Sequence, residues 1–442
     1  MRYVYEDAAY GHEPINNLYW STTIAPTPLT HLVGAAQTDV AIIGAGFTGL
    51  SAGYHLAKAG VNVTIIDAQH PMFGATGRNG GFCCLGGGKI SNAALDRRFG
   101  ADERQLYRDT EKAAVHLVDN IITNHEIDVD RHSNGETLLA HSAKHAREFE
   151  EIRDNVRRNY GVDAQIFDQS ELRQNGMGGE FYGAITTPIG FGLNPQKYAN
   201  GLMQVAQQHG VKLFADTPAL QITPSRAGYE IRTPNGTLSC EKFILATNGY
   251  SAEDMLPWMR ARFLPVQSSV IVTRPISDSE QNEQGWTSAQ MSYDSRFLLH
   301  YFRKMPNNRF LFGMRGGLRY TERSNKRISM KIRQDFARMF PKWRNVAIEY
   351  EWSGLVALNR SETPYIGEIP GVPGGYAGFG YHGNGVAMAS YSGALLSDLI
   401  VDQIGTRPYP AAFAHVPAQF PLGRLRRYML SPIYAIAQGM DL

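Results

Sequence analysis

The chain has 442 residues, of which 43% are hydrophobic and 19% are charged. This length and composition predict roughly two globular domains and exclude a disordered protein. Forty-three Lys and Arg residues balance 41 Asp and Glu residues, for a formal net charge of +2. The balance argues against nucleic acid as a partner, because proteins that bind a phosphate backbone usually carry a marked basic excess.

Three cysteines, Cys83, Cys84 and Cys240, exclude a disulfide framework and lack the spacing of a zinc site, and we expect no metal. No signal segment and no run of about 18 apolar residues is present, so we expect a cytoplasmic protein without a transmembrane segment. Glycine is unusual, with 45 residues where average usage predicts about 31. The glycines concentrate in residues 44–88 and 367–393, which indicates two distant loop systems that meet at one ligand.

The first 35 residues show no sustained period and predict an extended N-terminal arm. A buried parallel strand follows over 39–43, then a glycine turn, a helix over 50–58 and a second strand over 61–66. This order predicts a βαβ unit.

Further along the chain, alternating residues over 263–320 predict an antiparallel sheet, and a helix over 386–401 follows the second glycine cluster. Residues 101–123 predict a long helix whose apolar face is formed by Leu106, Ala113, Leu117 and Ile121.

The glycine turn of the βαβ unit reads Gly44-x-Gly46-x-x-Gly49, and Asp67 ends the second strand close to the ~20-residue spacing of a dinucleotide fingerprint. Gly44 permits the tight turn, Gly46 lets the backbone approach a pyrophosphate, and Gly49 lets helix and strand pack closely. The helix N-terminus then faces the phosphates, and Asp67 can accept hydrogen bonds from ribose hydroxyls. The fingerprint leaves NAD and FAD as alternatives.

Two more glycine loops fit a larger flat cofactor. Residues 74–82 (GATGRNGGF) supply backbone N–H groups, with Arg78 available to a phosphate and Asn79 to a polar ring edge. Residues 378–385 (GFGYHGNG) end where a helix begins, and the positive end of that helix favours developing negative charge.

The segments GAGFTGLSAGYHLAKAG, FGATGRNGGF, FILATNGY and GFGYHGNGVAMASYSG occur in an order and spacing that resembles the FAD-dependent amine oxidases of the D-amino acid oxidase superfamily. The most similar subgroup contains γ-glutamylputrescine oxidase and L-pipecolate oxidase. The resemblance covers most of the chain from about Thr38 and is specific for the superfamily more than for the substrate.

The resemblance implies an α/β fold: a Rossmann-like FAD-binding domain of the GR2 type with an inserted antiparallel-sheet α+β substrate domain. The implied division is an N-terminal arm at 1–35, a discontinuous FAD-binding domain at 36–100, 185–255 and 351–405, a substrate domain at 101–184 and 256–350, and a C-terminal tail at 406–442.

The implied cofactor is FAD in an extended pose. We expect it to be non-covalent, because no Cys follows Cys240 and no His lies between Phe73 and Asn92. The buried hydrophobic role is the favoured interpretation of Cys83 and Cys84. The implied cofactor-binding residues are Gly44, Ala45, Gly46, Phe47, Thr48, Gly49, Asp67, Ala68, Gly74, Ala75, Thr76, Arg78, Asn79, Gly80, Gly81, Phe82, Ala219, Leu220, Ala246, Thr247, Asn248, Gly380, Gly383, Asn384, Gly385, Val386 and Ala387.

The implied reaction oxidises a C–N bond of a small amine by hydride transfer to flavin N5, after which the imine is hydrolysed and O2 reoxidises the flavin to give H2O2. Such transfer needs orientation and a neutral amine more than a strong acid or base. Tyr301 and Arg303 share one strand face, so we expect both or neither at the substrate. The catalytic candidates are Tyr301, Arg303, His382 and Asn384, and the substrate-binding candidates are Tyr293, Arg296, Arg315, Trp352 and Arg360.

Two positions depart from the sarcosine oxidase branch. Ala387 stands where that branch has a Lys for the substrate carboxylate, so a charge must come from an Arg such as Arg303 or Arg315. Leu311 stands where it has a Lys for reaction with oxygen, which leaves oxidase and dehydrogenase open.

The substrate alternatives are a γ-glutamyl polyamine and a cyclic or N-alkyl amino acid. The functional alternatives are a flavin dehydrogenase with another electron acceptor, an NAD-dependent dehydrogenase, and a nucleotide-binding regulator without turnover. We expect a monomer or a weak homo-oligomer.

Overall fold

The computed structural model describes residues 2–11 and 17–440. Within them the strands, numbered in chain order, are β1 (Gly34–Ile43), β2 (Val63–Ile66), β3 (Phe82–Cys83), β4 (Glu136–Leu139), β5 (Gln165–Asp168), β6 (Gly183–Thr187), β7 (Phe191–Gly192), β8 (Lys212–Phe214), β9 (Gln221–Ser225), β10 (Gly228–Arg232), β11 (Gly236–Leu245), β12 (Leu264–Thr273), β13 (Met291–Asp294), β14 (His300–Lys304), β15 (Phe310–Arg315), β16 (Ile348–Leu358), β17 (Tyr365–Glu368) and β18 (Gly375–Phe379).

The helices of the same residues are α1 (Phe47–Lys58), α2 (Ala75–Arg78), α3 (Asn92–Phe99), α4 (Ala101–Asn124), α5 (Ala143–Ala146), α6 (Phe149–Tyr160), α7 (Pro195–Gln208), α8 (Asp278–Gln284), α9 (Glu322–Met339), α10 (Gly385–Ile400), α11 (Ala411–Ala414) and α12 (Leu430–Met440).

The first sheet has the strand order β17-β18-β11-β1-β2-β8, with β9 and β10 extending from β11. Its five strands from β18 to β8 are parallel, and β17 adds an antiparallel edge. Alternate residues of β1 enter two cores: Ile42 packs with the helices, and Ile43 packs on the opposite face. Burial on both faces explains the continuous apolar run of this strand.

The predicted βαβ unit is confirmed as β1, α1 and β2. The helix begins three residues earlier than the prediction of residue 50. Gly46 is its N-cap residue, and the Leu50 amide donates to the Gly46 carbonyl at 2.9 Å. The glycine turn therefore passes directly into the helix.

The second sheet has the order β16-β12-β15-β14-β13-β4-β6-β5 and is antiparallel except between β4 and β13. This confirms the predicted antiparallel sheet of residues 263–320. The division of the chain into two domains stays a prediction, but its boundary at 351 is wrong. That boundary falls inside β16, which pairs with β12 along its length.

Helix α4 confirms the predicted helix over 101–123, but its buried face is shifted by one position. Of the predicted face, Ile121 is buried as expected, but Leu106, Ala113 and Leu117 are only partly buried, whereas Tyr107, Ala114 and Val118 are buried. This face packs in the same core as α1 and α10, and the Tyr160 hydroxyl of α6 donates to Glu111 at 2.7 Å, so α4 contacts both the helices of the first sheet and a helix of the predicted substrate domain. The shift also places the charged residue Glu111 on the buried face.

The described part of the N-terminal segment is folded against the body and is not an extended arm. Trp20 is 2% exposed and packs with Trp352 of the second sheet. Its indole Nε1 donates to the Asn79 carbonyl at 2.9 Å. The Tyr5 hydroxyl donates to the Gly317 carbonyl at 2.8 Å. The segment shows no sustained hydrophobic repeat in the sequence because single aromatic residues, such as Trp20 and Tyr5, make these contacts.

The C-terminal segment also packs against the body. Arg426 is fully buried and forms an ion pair with Glu253 at 2.7 Å, and Leu430 packs against Leu264 and Val266 of β12. Across residues 2–11 and 17–440, no helix combines the length and the apolar character that a membrane span requires.

Trp20→Ala should lower the free energy of unfolding by about 3 kcal/mol or more, because it removes a fully buried indole and its hydrogen bond. The measurement is the urea midpoint with FAD in excess. Tyr182→Ala is the control, since Tyr182 is 44% exposed. An equal and small change in both variants would contradict the packed arrangement of this segment.

Candidate active site

A cavity of about 440 Å³ lies between the two sheets and is lined by both glycine-rich segments. One part is formed by the glycine turn after β1 and by Asp67 after β2. Another part is formed by Tyr293, Tyr301 and Arg315 of the second sheet. The cavity therefore joins the nucleotide fingerprint to the predicted substrate side.

The glycines of the first turn are required by close contacts. Gly44 has φ +109°, and a Cβ there would lie 2.9 Å from the Ala246 carbonyl oxygen. A Cβ on Gly46 would lie 2.9 Å from Thr76 Oγ1, and one on Gly49 would collide with the Gly44 carbonyl. The bare backbone thus leaves room for a ligand at the start of α1.

Asp67 stabilises the same turn. Its carboxylate accepts hydrogen bonds from the Ala45 amide at 2.6 Å and the Gln69 amide at 2.9 Å. Burial raises the pKa of Asp67 to about 6. A carboxylate has about four acceptor positions, so Asp67 can still accept ribose hydroxyls from the cavity that it lines.

The start of α10 lies beside the start of α1. The Thr48 and Tyr381 hydroxyls are 2.7 Å apart, and Ser51 Oγ donates to the Ser390 carbonyl at 2.6 Å. A Cβ on Gly393 would collide with the Thr48 carbonyl, so the helices approach closely there. Two helix N-termini, with their partial positive charges, therefore open toward one cavity.

Arg78 is 3% exposed and lines the cavity. Its Nε donates to the Phe73 carbonyl at 2.7 Å, and its Nη1 donates to the Ser353 carbonyl at 3.2 Å. Its Nη2 is buried and has no hydrogen-bond partner among the described residues. An unpaired buried guanidinium nitrogen fits an acceptor on a bound cofactor.

The Asn79 side chain is used within its own turn. Its Nδ2 donates to the carbonyls of Ala75 and Thr76, and its Oδ1 accepts from the Gly81 amide at 2.7 Å. The predicted contact of this amide with a ring edge stays a prediction, since Asn79 also lines the cavity. These hydrogen bonds shape the loop.

The last loop is held by contacts across the cavity wall. Asn384 Nδ2 donates to the Leu85 carbonyl at 2.9 Å, and Arg315 Nη2 donates to the His382 carbonyl at 2.9 Å. His382 has φ +52°. Burial, together with the Arg315 and Lys89 charges, lowers the pKa of its imidazole to about 3. His382 is thus neutral at physiological pH.

Of the cofactor positions that the resemblance implies, most line the cavity: Gly44, Gly46, Phe47, Thr48, Asp67, Ala68, Gly74, Ala75, Thr76, Arg78, Asn79, Gly80, Phe82, Ala219, Ala246, Thr247, Asn248, Gly383, Asn384, Gly385 and Val386. The others lie outside the lining: Ala45, Gly49, Gly81, Leu220, Gly380 and Ala387. Of these, Gly380 donates its amide to Asn248 Oδ1 at 3.0 Å.

Five of the catalytic and substrate-binding candidates line the cavity: Tyr293, Tyr301, Arg315, His382 and Asn384. The Tyr301 hydroxyl is 2.9 Å from Ser268 Oγ, and its ring packs edge-on against Phe82. Arg315 makes no ion pair among the described residues.

Arg303 does not reach the main cavity, although it shares a strand face with Tyr301. The segment at Gly81 covers it, and its guanidinium donates to the Leu193 carbonyl at 2.7 Å and contacts His132 Nε2 at 2.8 Å. Burial lowers the pKa of Arg303 to about 9. The expectation of both residues or neither is wrong, because a loop crosses the face between them.

Three other candidates also lie outside the cavity lining. Arg296 forms an ion pair with Asp294 at 2.6 Å. Trp352 is buried, and its Nε1 donates to the Arg78 carbonyl at 2.8 Å. Arg360 is exposed and donates to the Gln419 carbonyl at 3.0 Å. Each side chain is thus engaged by a protein partner, although Arg296 Nε is buried without a hydrogen-bond partner among the described residues.

Charged residues that the sequence did not single out also line the cavity, chiefly Lys89, Glu111 and Glu136. Burial and the nearby Glu111 raise the pKa of Glu136 to about 7. Lys89 stays accessible, yet partial desolvation and the Arg315 charge lower its pKa to about 8. The sequence predicts no strand at Glu136, so nothing in it indicates that this carboxyl group faces the cavity.

The unpaired Arg78 nitrogen and the glycine cradle fit a dinucleotide with a large ring system, and the family comparison decides which one. The model of the family described as FAD dependent oxidoreductase matches residues 39–399. The chain belongs to this family. Its cofactor is accordingly FAD, and the resemblance and fold class are confirmed.

Two curated relatives align over most of the chain. "Probable oxidoreductase OrdL" of Rhizobium meliloti (strain 1021) is 30% identical over 86% of this chain and 87% of its own length. "Gamma-glutamylputrescine oxidoreductase" of Escherichia coli (strain K12) is 26% identical over 94% of this chain and 95% of its own.

The glycine oxidase structure from Geobacillus kaustophilus superimposes with a TM-score of 0.70 over 86% of this chain and 98% of that one. At 20% identity this likeness establishes the fold.

Gly46→Ala should lower FAD occupancy at least about tenfold, because its Cβ would enter the cradle beside Thr76. The backbone of Gly46 lies outside the left-handed region, so an alanine there adds no backbone strain. The change in occupancy therefore reports the space that the Cβ takes up. The measurement is the ratio of bound FAD to protein. Gly249→Ala is the control, since its nearest atom is at 3.4 Å and it does not line the cavity. Full occupancy in Gly46→Ala would contradict this placement.

Proposed function

We propose that this enzyme oxidises a C–N bond of an amine that carries a carboxylate. The observation that carries the proposal is the pair of cationic side chains Arg315 and Lys89, which line the cavity shared with the cofactor loops. Neither side chain has an ion-pair partner in the described part of the chain. The E. coli relative, named for γ-glutamylputrescine, is in accord with an amine substrate.

FAD, when bound, supplies the acceptor for the two electrons of this oxidation. The residues that would hold it are the glycine turn after β1, Asp67, Arg78 and the start of α10. The chain itself must bind the amine, exclude water and keep the reacting nitrogen neutral.

Arg315 is suited to the carboxylate. It presents a planar guanidinium to the cavity and is oriented by its hydrogen bond to the His382 carbonyl. Charge-assisted pairing with a carboxylate in a partly desolvated site is stronger than an ordinary hydrogen bond. Arg315 would therefore supply the positive charge that a Lys provides in the sarcosine oxidase branch, at the position where this chain has Ala387.

Positive charge at Arg315 and Lys89 also affects the amine. A nearby cation disfavours the protonated form of an amine and so lowers its pKa. The neutral amine, with its lone pair available, is the form that is oxidised. Tyr293 and Tyr301 complete this wall of the cavity and exclude water from the reacting carbon.

Both substrate classes that the resemblance implies carry a carboxylate: γ-glutamyl polyamines, and cyclic or N-alkyl amino acids. The deciding experiment mixes the anaerobic holoenzyme with members of each class and with amines that lack a carboxylate, and records bleaching of the flavin. Bleaching by carboxylate-bearing amines is expected, and no bleaching across the panel would overturn the proposal.

O2 is proposed as the second substrate. Readmission of oxygen to the bleached enzyme should restore the flavin absorbance with release of H2O2. Absence of recovery would indicate another electron acceptor and would favour the dehydrogenase alternative.

Arg315→Met should raise KM for carboxylate-bearing amines about 30-fold or more, because the carboxylate loses a charge-assisted pair of about 2 kcal/mol. Arg315→Lys should restore part of the loss. The measurement is steady-state kinetics, with FAD occupancy checked in each variant. Arg360→Met is the matched control and should change KM less than twofold, because Arg360 lies on the surface. Equal effects in both variants would contradict the role of Arg315.

A further inference from the structure

Glu136 is a carboxyl group at the cavity without a cationic partner at ion-pair distance among the described residues. It begins β4, where its backbone pairs with Thr187 of β6 and Met291 of β13. Groups face it from each neighbouring element: Cys84 after β3, Lys89, Glu111 of α4 and Tyr293 of β13.

The neighbouring carboxylate Glu111 lines the same cavity but is paired with a cation and hydrogen-bonded. Arg108 Nη1 donates to Glu111 Oε2 at 2.8 Å, and the Tyr160 hydroxyl donates to the same oxygen at 2.7 Å. Glu136 interacts with the Cys84 thiol, and Lys89 acts on it only from beyond ion-pair distance. A desolvated carboxyl without a counterion is costly, and a cationic ligand would remove that cost.

The charges of the cavity distinguish two kinds of amine. Lys89 interacts with both Arg315 and Glu136, so these two residues distinguish the two environments. An amine beside Arg315 is driven toward its neutral form, whereas an amine beside an ionised Glu136 is driven toward its protonated form. An amine held at Glu136 is therefore a poor candidate for oxidation. It is a good candidate for recognition, because its charge is kept.

We propose that Glu136 is the counterion for a second, non-reacting ammonium group of the substrate. The substrate class is then a carboxylate-bearing diamine. This inference rests on the proposed amine oxidation and narrows it, because a cyclic or N-alkyl amino acid with a single nitrogen leaves Glu136 unpaired.

Two matched pairs of compounds isolate the second ammonium group. γ-Glutamylputrescine and glutarylputrescine share the carboxylate and the terminal amine, but only the first has an α-amino group. N-(4-Aminobutyl)glycine and N-pentylglycine share the carboxylate and the secondary amine, but only the first ends in an ammonium group. In each pair the preference is the ratio of the two affinities.

The measurement is calorimetric titration of the holoenzyme after anaerobic reduction with dithionite, because the reduced enzyme binds amines without turning them over. The preference for the diammonium member should be at least about tenfold at pH 8 for one pair or both. It should decline as the pH falls through about 7, since protonation removes the Glu136 charge.

Glu136→Gln keeps the shape of the side chain and removes its charge. It should reduce the preference to less than about threefold and abolish the pH dependence. Glu230→Gln is the matched control, because Glu230 is exposed on β10 outside the cavity, and it should retain the wild-type preference. FAD occupancy and thermal midpoint confirm that each variant is folded.

The outcomes separate the two proposals. No preference in wild type for either pair, or the same preference in wild type and Glu136→Gln, overturns the role of Glu136 while leaving amine oxidation intact. A preference that Glu136→Gln abolishes supports it even where turnover is slow. Failure of the anaerobic panel to bleach the flavin overturns the proposed oxidation, whatever the titration shows.

Discussion

The close approach of α1 and α10 is the contact on which the rest of the site depends. Gly393 of α10 has no side chain, so α10 can approach the Thr48 carbonyl of α1 closely. Near the starts of the two helices, the Thr48 and Tyr381 hydroxyls lie 2.7 Å apart. Because both helices open toward one cavity, this contact fixes the separation of their positive ends. The loop that leads into α10 contains Tyr381 and is held at the next residue, where Arg315 donates to the His382 carbonyl at 2.9 Å.

The cavity has two kinds of polar wall. The cofactor side is made largely of backbone, where glycines leave space and partly buried polar groups such as Asp67 hold the turns in place. The other wall carries charged side chains without an ion-pair partner among the described residues: Arg315 and Glu136 of the second sheet, and Lys89 of the segment between β3 and α3. Unpaired charges at a cavity are costly in the empty protein, and a ligand of complementary charge offsets that cost. This contrast is the physical basis for assigning the second wall to the substrate.

Residue type identifies several candidates for the substrate site, but it does not show which of their side chains reach the cavity. Arg303, Arg296 and Arg315 look equivalent in the sequence, since each is an Arg in or beside a predicted strand. Among the described residues their partners separate them: Leu193 and His132 for the first, Asp294 for the second, and the His382 carbonyl alone for the third. Strand alternation predicts the face of a side chain, but it does not predict which loop covers that face.

The sequence alone determined the βαβ unit, the glycine loops and the antiparallel sheet, because these depend on local periodicity and on backbone conformations that few residues adopt. Only the tertiary structure decided that Lys89, Glu111 and Glu136 line the same cavity. Glu111 was hidden by a shift of one position in the buried face of α4, and Glu136 by the pairing of β4 with the distant strand β13. Charge recognition depends on distances through space, which a one-dimensional pattern does not contain.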